Sequence, residues 1–407
     1  MPKILSRIED YFPYIRHRRN VKKTSPGIRF YKRVSSWIFS KVNVEGIEDV
    51  ITYARQKPES NIIFVANHLS EFDWAEVQYL LVEHDLEAIV QAGANLFIGP
   101  LDPLLRQAGG FKVFREETQV YDENWILNIV KGFIEGDLGI DLGSRVDISK
   151  DLSEKIYKAF LGKSFKEGYH LFTLPGYKRQ DGMLKYGRSY EGLFLPFSPL
   201  VLQVPVFFQK THPDRELAFS TIYISYERPP EDQNFSRLER MKKGSISRKF
   251  VYIEDYLYNL TFRITQRASR VHLSFGDPLP IEELRARGLT RRKQLADYLH
   301  KETGKLAVPF PTQQAGYCLD PITANDHMSI YALSQRMKNL RETLQEKGQR
   351  YVQYLPEDVT SSLEQAHTQF WQPPTRKIAR FDGPKVRVYR PDVMAQYANH
   401  CRHLLEE

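Results

Sequence analysis

Several things that would narrow the role of this chain at once are scarce or missing. Only two of its 407 residues are cysteine. Cys318 and Cys401 lie far apart and show no metal-ligand spacing, which points to a reducing, cytoplasmic setting. No apolar run approaches the ~20 residues that a bilayer-spanning helix needs. The most apolar stretch, Leu193–Phe208, is interrupted by Pro196, Pro199 and Pro205 and reads as a loop entering a buried strand, Val201–Phe208. The N-terminus is basic and aromatic with no apolar run before a small-residue cleavage site, so no signal peptide is expected. The sequence holds no P-loop and no G-x-G-x-x-G, which leaves nucleotide hydrolysis and dinucleotide binding without support. A G-x-S-x-G elbow is absent too, and neither cysteine has a plausible base nearby in sequence, so a serine or cysteine nucleophile is not expected.

What is present is unevenly placed. The net charge is +8, yet residues 1–41 alone hold eleven Lys and Arg against Glu9 and Asp10. The remainder is close to neutral. Tyr11, Phe12, Tyr14, Ile15, Phe30, Tyr31, Trp37, Ile38 and Phe39 alternate with those cations. Bulky apolar rings beside positive charge suit an anionic lipid interface, at roughly 1 kcal/mol per basic residue. The plainer alternative is a helical lead packed on the main domain.

Periodicity gives an α/β pattern with a mixed central sheet flanked by helices. Expected strands are Asn61–Ala66, Leu86–Gln91, Lys112–Arg115, Tyr169–Leu174, Val201–Phe208, Phe219–Tyr226 and Arg270–Phe275. Helices are expected at Trp74–Glu83, Leu101–Gln107, Glu123–Glu135, Leu152–Glu167 and Ile253–Ala268. Beyond Pro280 the pattern turns mainly helical, with Glu282–Thr303, Met328–Glu346, Glu357–Trp371 and Asp392–Glu407. Three segments follow: a basic aromatic lead (1–45), an α/β domain (46–280) and a mainly helical C-terminal region (281–407).

The chemistry centres on NIIFVANHLSEFDW, residues 61–74. An apolar run of strand length ends at Ala66, a turn carries Asn67, His68 and Ser70, and Asp73 opens a helix. A carboxylate there can bond one nitrogen of the imidazole, fix its tautomer and stabilise its cation while the other nitrogen accepts a proton. His272 and Asp277 repeat the five-residue spacing. Val271, Leu273 and Phe275 alternate with Arg270, His272 and Ser274 there, so His272 is expected to face outward from a half-buried strand.

The stretch ANHLSEFD resembles the first block (H-x4-D) of the glycerolipid acyltransferases. QAGANLFIGPLDPLLRQAGGFKVFR, residues 91–115, is similar to the second block of the glycerol-3-phosphate and dihydroxyacetone-phosphate acyltransferases. VHLSFGDPLPIEEL resembles the strand and turn that close their catalytic domain, and YRPDVMAQYANHCRHLL resembles the end of the same enzymes. The resemblance implies an acyltransferase domain that uses an acyl thioester (acyl-CoA or acyl-carrier protein), a phosphorylated glycerol acceptor and no further cofactor. It implies His68 and Asp73 as the catalytic pair and Arg115 as the phosphate-binding arginine, with Lys112 and Arg106 near it. It also implies work at the cytoplasmic side of a membrane in phospholipid synthesis.

The third block departs from that pattern. LPGYKRQDGMLKYGRSYEG keeps Gly176 but holds Pro175 where the family has glutamate and Tyr177 where it has a second glycine. Lys178 and Arg179 still supply positive charge there. The fourth block is partly matched by Val204, Pro205 and Val206. Both changes fall on the acceptor side.

Other readings have thinner support. His400 and His403 have metal-like spacing in HCRH, but no further ligand accompanies them, and no metal is expected. Residues 328–390 suggest two helices and a hairpin across Asp382-Gly383, an order like that of a winged helix, so nucleic-acid binding is a rival. A catalytically silent, lipid-binding homologue is another.

Overall fold

The computed structural model describes residues 25–70, 72–93, 107–113, 161–180, 183–186, 191–234, 269–322, 326–348, 358–370 and 378–406, with a few isolated positions between them. Expected helices at 123–135 and 253–268, most of those at 101–107 and 152–167, and Arg106 and Arg115 lie outside the described residues.

Helix α1 (Pro26–Ile38) is capped by Ser25, whose hydroxyl accepts from the Ile28 amide, and Pro26 presets the first-turn φ. It leads directly into β1 (Phe39–Glu45), and Gly46 turns the chain into α2 (Ile47–Gln56). Next come β2 (Asn61–Ala66), α3 (Asp73–Glu83), β3 (Ala88–Gly93) and β4 (Gly110–Val113). A short β5 (His170–Thr173) precedes a hairpin of β6 (Tyr177–Gln180) and β7 (Met183–Tyr186). Helix α4 (Pro199–Thr211), β8 (Leu217–Tyr226), β9 (Ser269–Phe275) and β10 (Leu279–Pro280) complete this part.

The main sheet runs in the order β1-β9-β8-β2-β5-β3-β4, with β10 paired to β8. Strands β8, β2, β5, β3 and β4 are mutually parallel, while β9 runs antiparallel to β8 and β1 parallel to β9. Strands β2 and β8 are buried along their whole length, as parallel strands covered on both faces should be. Alternate residues of β2 feed two cores. Ile62, Phe64 and Ala66 pack with α2 and α3, and Ile63 and Val65 pack with α4 and the helices after Pro280.

Those later helices are α5 (Ile281–Ala286), α6 (Arg292–Gly304) and α7 (Pro311–Leu319). Then follow β11 (His327–Ser329), α8 (Ile330–Glu346), α9 (Val359–Phe370), β12 (Ala379–Asp382), β13 (Lys385–Val388) and α10 (Pro391–Glu406). Strands β11, β13 and β12 form a small antiparallel sheet under α8 and α9. Its core includes Tyr223 of β8, so the C-terminal region is packed onto the main sheet.

Five expectations need correction. Val201–Phe208 is helical within α4. Its buried residues Leu202, Val204, Pro205, Phe208 and Gln209 recur at helical spacing, with Leu200 and Phe207 outward, and Pro199 sits in the first turn. His272 does not face outward but is 1% exposed. Its register partner Ser225 accepts from the Val308 amide, so the C-terminal region covers that face. The span Glu282–Thr303 is broken into α5 and α6 at Gly288, which adopts φ +82°. Of the rings and apolar side chains expected at a lipid interface, Tyr31, Ile38 and Phe39 belong to the core, whereas Phe30 and Trp37 are exposed. The sheet also begins earlier than the segment boundary at 46 suggested, because β1 lies within the lead.

Gly46 holds φ +76°, and a Cβ there would stand 2.2 Å from the Phe275 carbonyl oxygen. Gly46→Ala combines a left-handed backbone with a clash against strand backbone, so a loss of about 2–4 kcal/mol is expected. Urea unfolding of the variant checks this; an unchanged midpoint would contradict the tight β1–α2 passage.

Candidate active site

At the carboxyl end of β2 the ladder to β8 stops at Ala66, paired with Ile222. The Asn67 side chain extends it by one step. Its Nδ2 donates to the Ile224 carbonyl at 3.0 Å, and its Oδ1 accepts from the Ile224 amide at 2.7 Å. The backbone is thereby freed to turn while every buried polar group of Asn67 that faces β8 is satisfied.

The turn is closed by Asp73, the first residue of α3. Its Oδ2 accepts from the backbone amides of Leu69 (2.6 Å) and Ser70 (2.9 Å) and lies 2.8 Å from His68 Nδ1. Its Oδ1 accepts from the Tyr226 hydroxyl at 2.7 Å. The Asp73 side chain is fully buried, and the His68 side chain is 14% exposed. Donation from Nδ1 into the carboxylate leaves Nε2 as the proton acceptor of a partly exposed ring.

Polar groups from β8 and the loop after it extend this arrangement. Ser70 Oγ donates to Glu231 Oε2 at 3.0 Å and accepts from the Phe72 amide. Arg228, with no exposed surface, lies 3.7 Å from Asp232, which in turn accepts from the Tyr397 hydroxyl at 2.6 Å. Burial, then the neighbouring Asp73 carboxylate, holds the Tyr226 hydroxyl well above its ordinary range, so it stays a donor. One helical turn from Asp73, Glu76 is buried and accepts from Ser35 Oγ at 2.7 Å. Burial pushes its carboxyl up to about 7; the Ser35 bond opposes this and the nearby Asp73 charge adds to it.

The expected acceptor-side residues divide. Val65 pairs with Thr173, so the segment Pro175–Gly176 leaves the sheet beside the turn that carries His68. Gly176 bridges to Phe197, and the Pro175 carbonyl accepts from the Ser198 amide. Lys178 is half-buried in β6 and Arg179 follows it in the same strand. Lys112 lies in β4, three places along the sheet from β2. Arg115 lies outside the described residues. Pro205 is buried inside α4, in the layer opposite α3.

The second histidine–aspartate pair has no such geometry. His272 is buried 3.5 Å from Glu45, with its imidazole pushed down to about 4 by desolvation, and Asp277 is exposed beyond the strand. His403 stacks on Tyr223 and leans on Phe194, and burial lowers it to about 3 and His400 to about 4. Among the described residues no group of three or more His, Cys, Asp or Glu side chains is arranged to hold a metal ion.

Tyr226, Glu231 and Glu76 escaped the sequence reading, which placed Ser70 in the turn without a partner. Tyr226 lies more than 150 residues from Asp73, and only the adjacency of β8 and β2 brings them together.

Residues 41–137, which include the turn, match the family model described as Acyltransferase. That match supports acyl transfer as the general chemistry of the chain. The comparison with curated proteins returned no match.

Two outcomes follow from this geometry. Tyr226→Phe strips one donor from a buried carboxylate and is expected to cost about 1–3 kcal/mol in chemical unfolding; a neutral substitution would mean that the hydroxyl is not needed there. For Glu76, the folded state keeps a proton that the unfolded chain releases. Its stabilising share is complete below about pH 4.5 and is lost as pH rises through about 7. Glu76→Gln is therefore expected to gain stability relative to the parent between pH 5 and pH 8, on the order of 3 kcal/mol at the upper end. A difference that does not change with pH sinks this assignment.

Proposed function

We propose that the chain transfers a fatty acyl group from a thioester, acyl-CoA or acyl-carrier protein, to a hydroxyl of glycerol-3-phosphate or a related phosphorylated acceptor. One observation carries the reading: within the Acyltransferase match, an imidazole nitrogen meets a fully buried, four-times-bonded carboxylate at 2.8 Å in a strand-to-helix turn. His68 Nε2 takes the proton of the acceptor hydroxyl as its oxygen attacks the thioester carbonyl carbon. The tetrahedral intermediate collapses, the carbon–sulfur bond breaks, and the imidazolium returns the proton to the leaving thiolate. Asp73 orients the ring and stabilises its cation throughout.

Arg115 is assigned to the acceptor phosphate, with Lys112, Lys178 and Arg179 as further cations and Asn67, Gly176 and Pro205 as supports of the motif. Pro175 in place of a carboxylate beside Lys178 and Arg179 removes a negative charge from this quarter, which suits a doubly charged phosphate. The same substitution favours the rival of a silent, lipid-binding homologue. Release of free CoA from acyl-CoA in the presence of glycerol-3-phosphate, dihydroxyacetone phosphate or lysophosphatidate separates the two.

Peripheral docking on the cytoplasmic side of an anionic membrane belongs to the same proposal. No described helix is long and apolar enough to cross a membrane. Helix α1 turns Arg29, Phe30, Arg33 and Trp37 to solvent on one side, an outward face of cations and rings.

His68→Ala is expected to abolish turnover while the chain still folds, at a cost of about 1–3 kcal/mol for the lost donor to Asp73, and Asp73→Asn to lower kcat by about 10²–10⁴-fold. His272→Gln keeps activity; equal losses in the His68 and His272 variants would undo the choice between the two pairs. Reversing Arg16, Arg18, Arg19, Lys22 and Lys23 to glutamate is expected to weaken sedimentation with anionic vesicles, most at low salt. Unchanged sedimentation would leave the lead as a packed helix only.

A further inference from the structure

Helices α4, α5 and α6 and the start of β8 enclose a cavity of about 180 Å³. Its floor is apolar and buried, with Phe219, Ile281, Leu284 and Leu295, and Val206 forms one side. Native interiors leave few voids larger than a water molecule, and an apolar void of about 150 Å³ takes a ring such as benzene. The space here accommodates an aliphatic segment of several carbons.

The rim is polar and positive. Lys210, Arg285 and Thr290 border the opening and are exposed. Arg285 bonds Glu282 at 3.0 Å, while Lys210 engages no ion pair or hydrogen bond among the described residues. Arg291, Arg292 and Lys293 follow Thr290 directly, all exposed and equally without a partner among the described residues. An apolar recess under such a rim lacks only a chain to fill it and an anion to pair with the cations.

The recess is not the site around His68. Phe219 stands level with Ile63 in the sheet, three residues before β2 ends at Ala66, about 10 Å at the usual rise of a strand, and His68 lies beyond that end in the turn. The two also belong to different layers: the floor residues pack in the core on one face of the sheet, and α3 packs on the other.

We propose that this recess is a second, non-catalytic site for a single-chain anionic amphiphile. The aliphatic chain occupies the space over Phe219 and Leu284, and a carboxylate or phosphate head pairs with Lys210 and Arg285. The site does not depend on the acyl-transfer reading.

Isothermal titration of the full chain with monomeric decyl phosphate, decanoate, decanol and inorganic phosphate tests it. Decyl phosphate or decanoate is expected to bind at least tenfold more tightly than decanol or inorganic phosphate, and whichever of the two binds better assigns the head. Thr290→Trp fills the opening from an exposed position, and Lys210→Glu reverses the free charge; each is expected to weaken binding tenfold or more. His68→Ala is expected to bind as the parent does, and Thr290→Trp to retain thioester turnover, so failure of this site is distinguishable from failure of the acyl-transfer reading. Decanol binding as tightly as the anions, or binding unaffected by Thr290→Trp and Lys210→Glu, overturns the proposal.

Discussion

Burying a carboxylate is the most demanding act in this structure. Asp73 has no exposed side-chain surface, and no cation is paired with it among the described residues except the His68 ring when protonated. An isolated charge in that position is strongly disfavoured. It is offset by donors from three directions: the Leu69 and Ser70 amides of the turn, the Tyr226 hydroxyl of β8, and the His68 ring. Asp73 also opens α3, where the helix dipole favours negative charge. The strand order places β8 beside β2, and the Asn67 amide holds the first turn residue to β8 while the backbone swings away.

The same demand gives the C-terminal region a mechanical part. The Gln313 side chain donates to the Tyr226 carbonyl and Thr312 donates to the Glu227 carbonyl. Tyr397 reaches Asp232 in the loop that also supplies Glu231 to Ser70. Helices α7 and α10 thus grip the segment whose side chains finish the turn. Three residues that touch the turn or its second layer sit on a segment fixed by helices far later in sequence. Change in α7 or α10 therefore reaches the His68–Asp73 pair through backbone position, without any contact to the pair itself.

Local chemistry was legible in the sequence wherever it depended on neighbours in the chain. The apolar run Asn61–Ala66, the turn with His68 and the helix opened by Asp73 all follow from residues within a dozen positions, and the structure has them in those places. Hairpin β12–β13 was legible for the same reason, since Asp382-Gly383 marks its turn. What failed depended on distant cover. Arg270, His272 and Ser274 alternate with apolar residues as an outward face would, yet the segment around Val308, far later in the chain, closes over His272. The run at 201–208 carries the same apolar composition in a strand or a helix. Its identity was settled by packing against α6, which composition does not encode.

The histidines make the physical distinction plain. His272 and His400 are buried and His170 and His403 half-buried, and desolvation pushes each to about 3 or 4, so each is a neutral packing or acceptor group. His170 illustrates this, with its Nδ1 accepting from the Ile62 amide at 3.0 Å. A ring that must gain a proton needs the reverse conditions: a path to solvent or substrate for one nitrogen and a fixed negative partner for the other. His68 meets both, being partly exposed and held against a carboxylate that its own turn has already bonded. Sequence spacing alone made two equal candidates of His68 and His272. Burial separates them, because only a ring at the edge of the sheet can exchange a proton with something outside the protein.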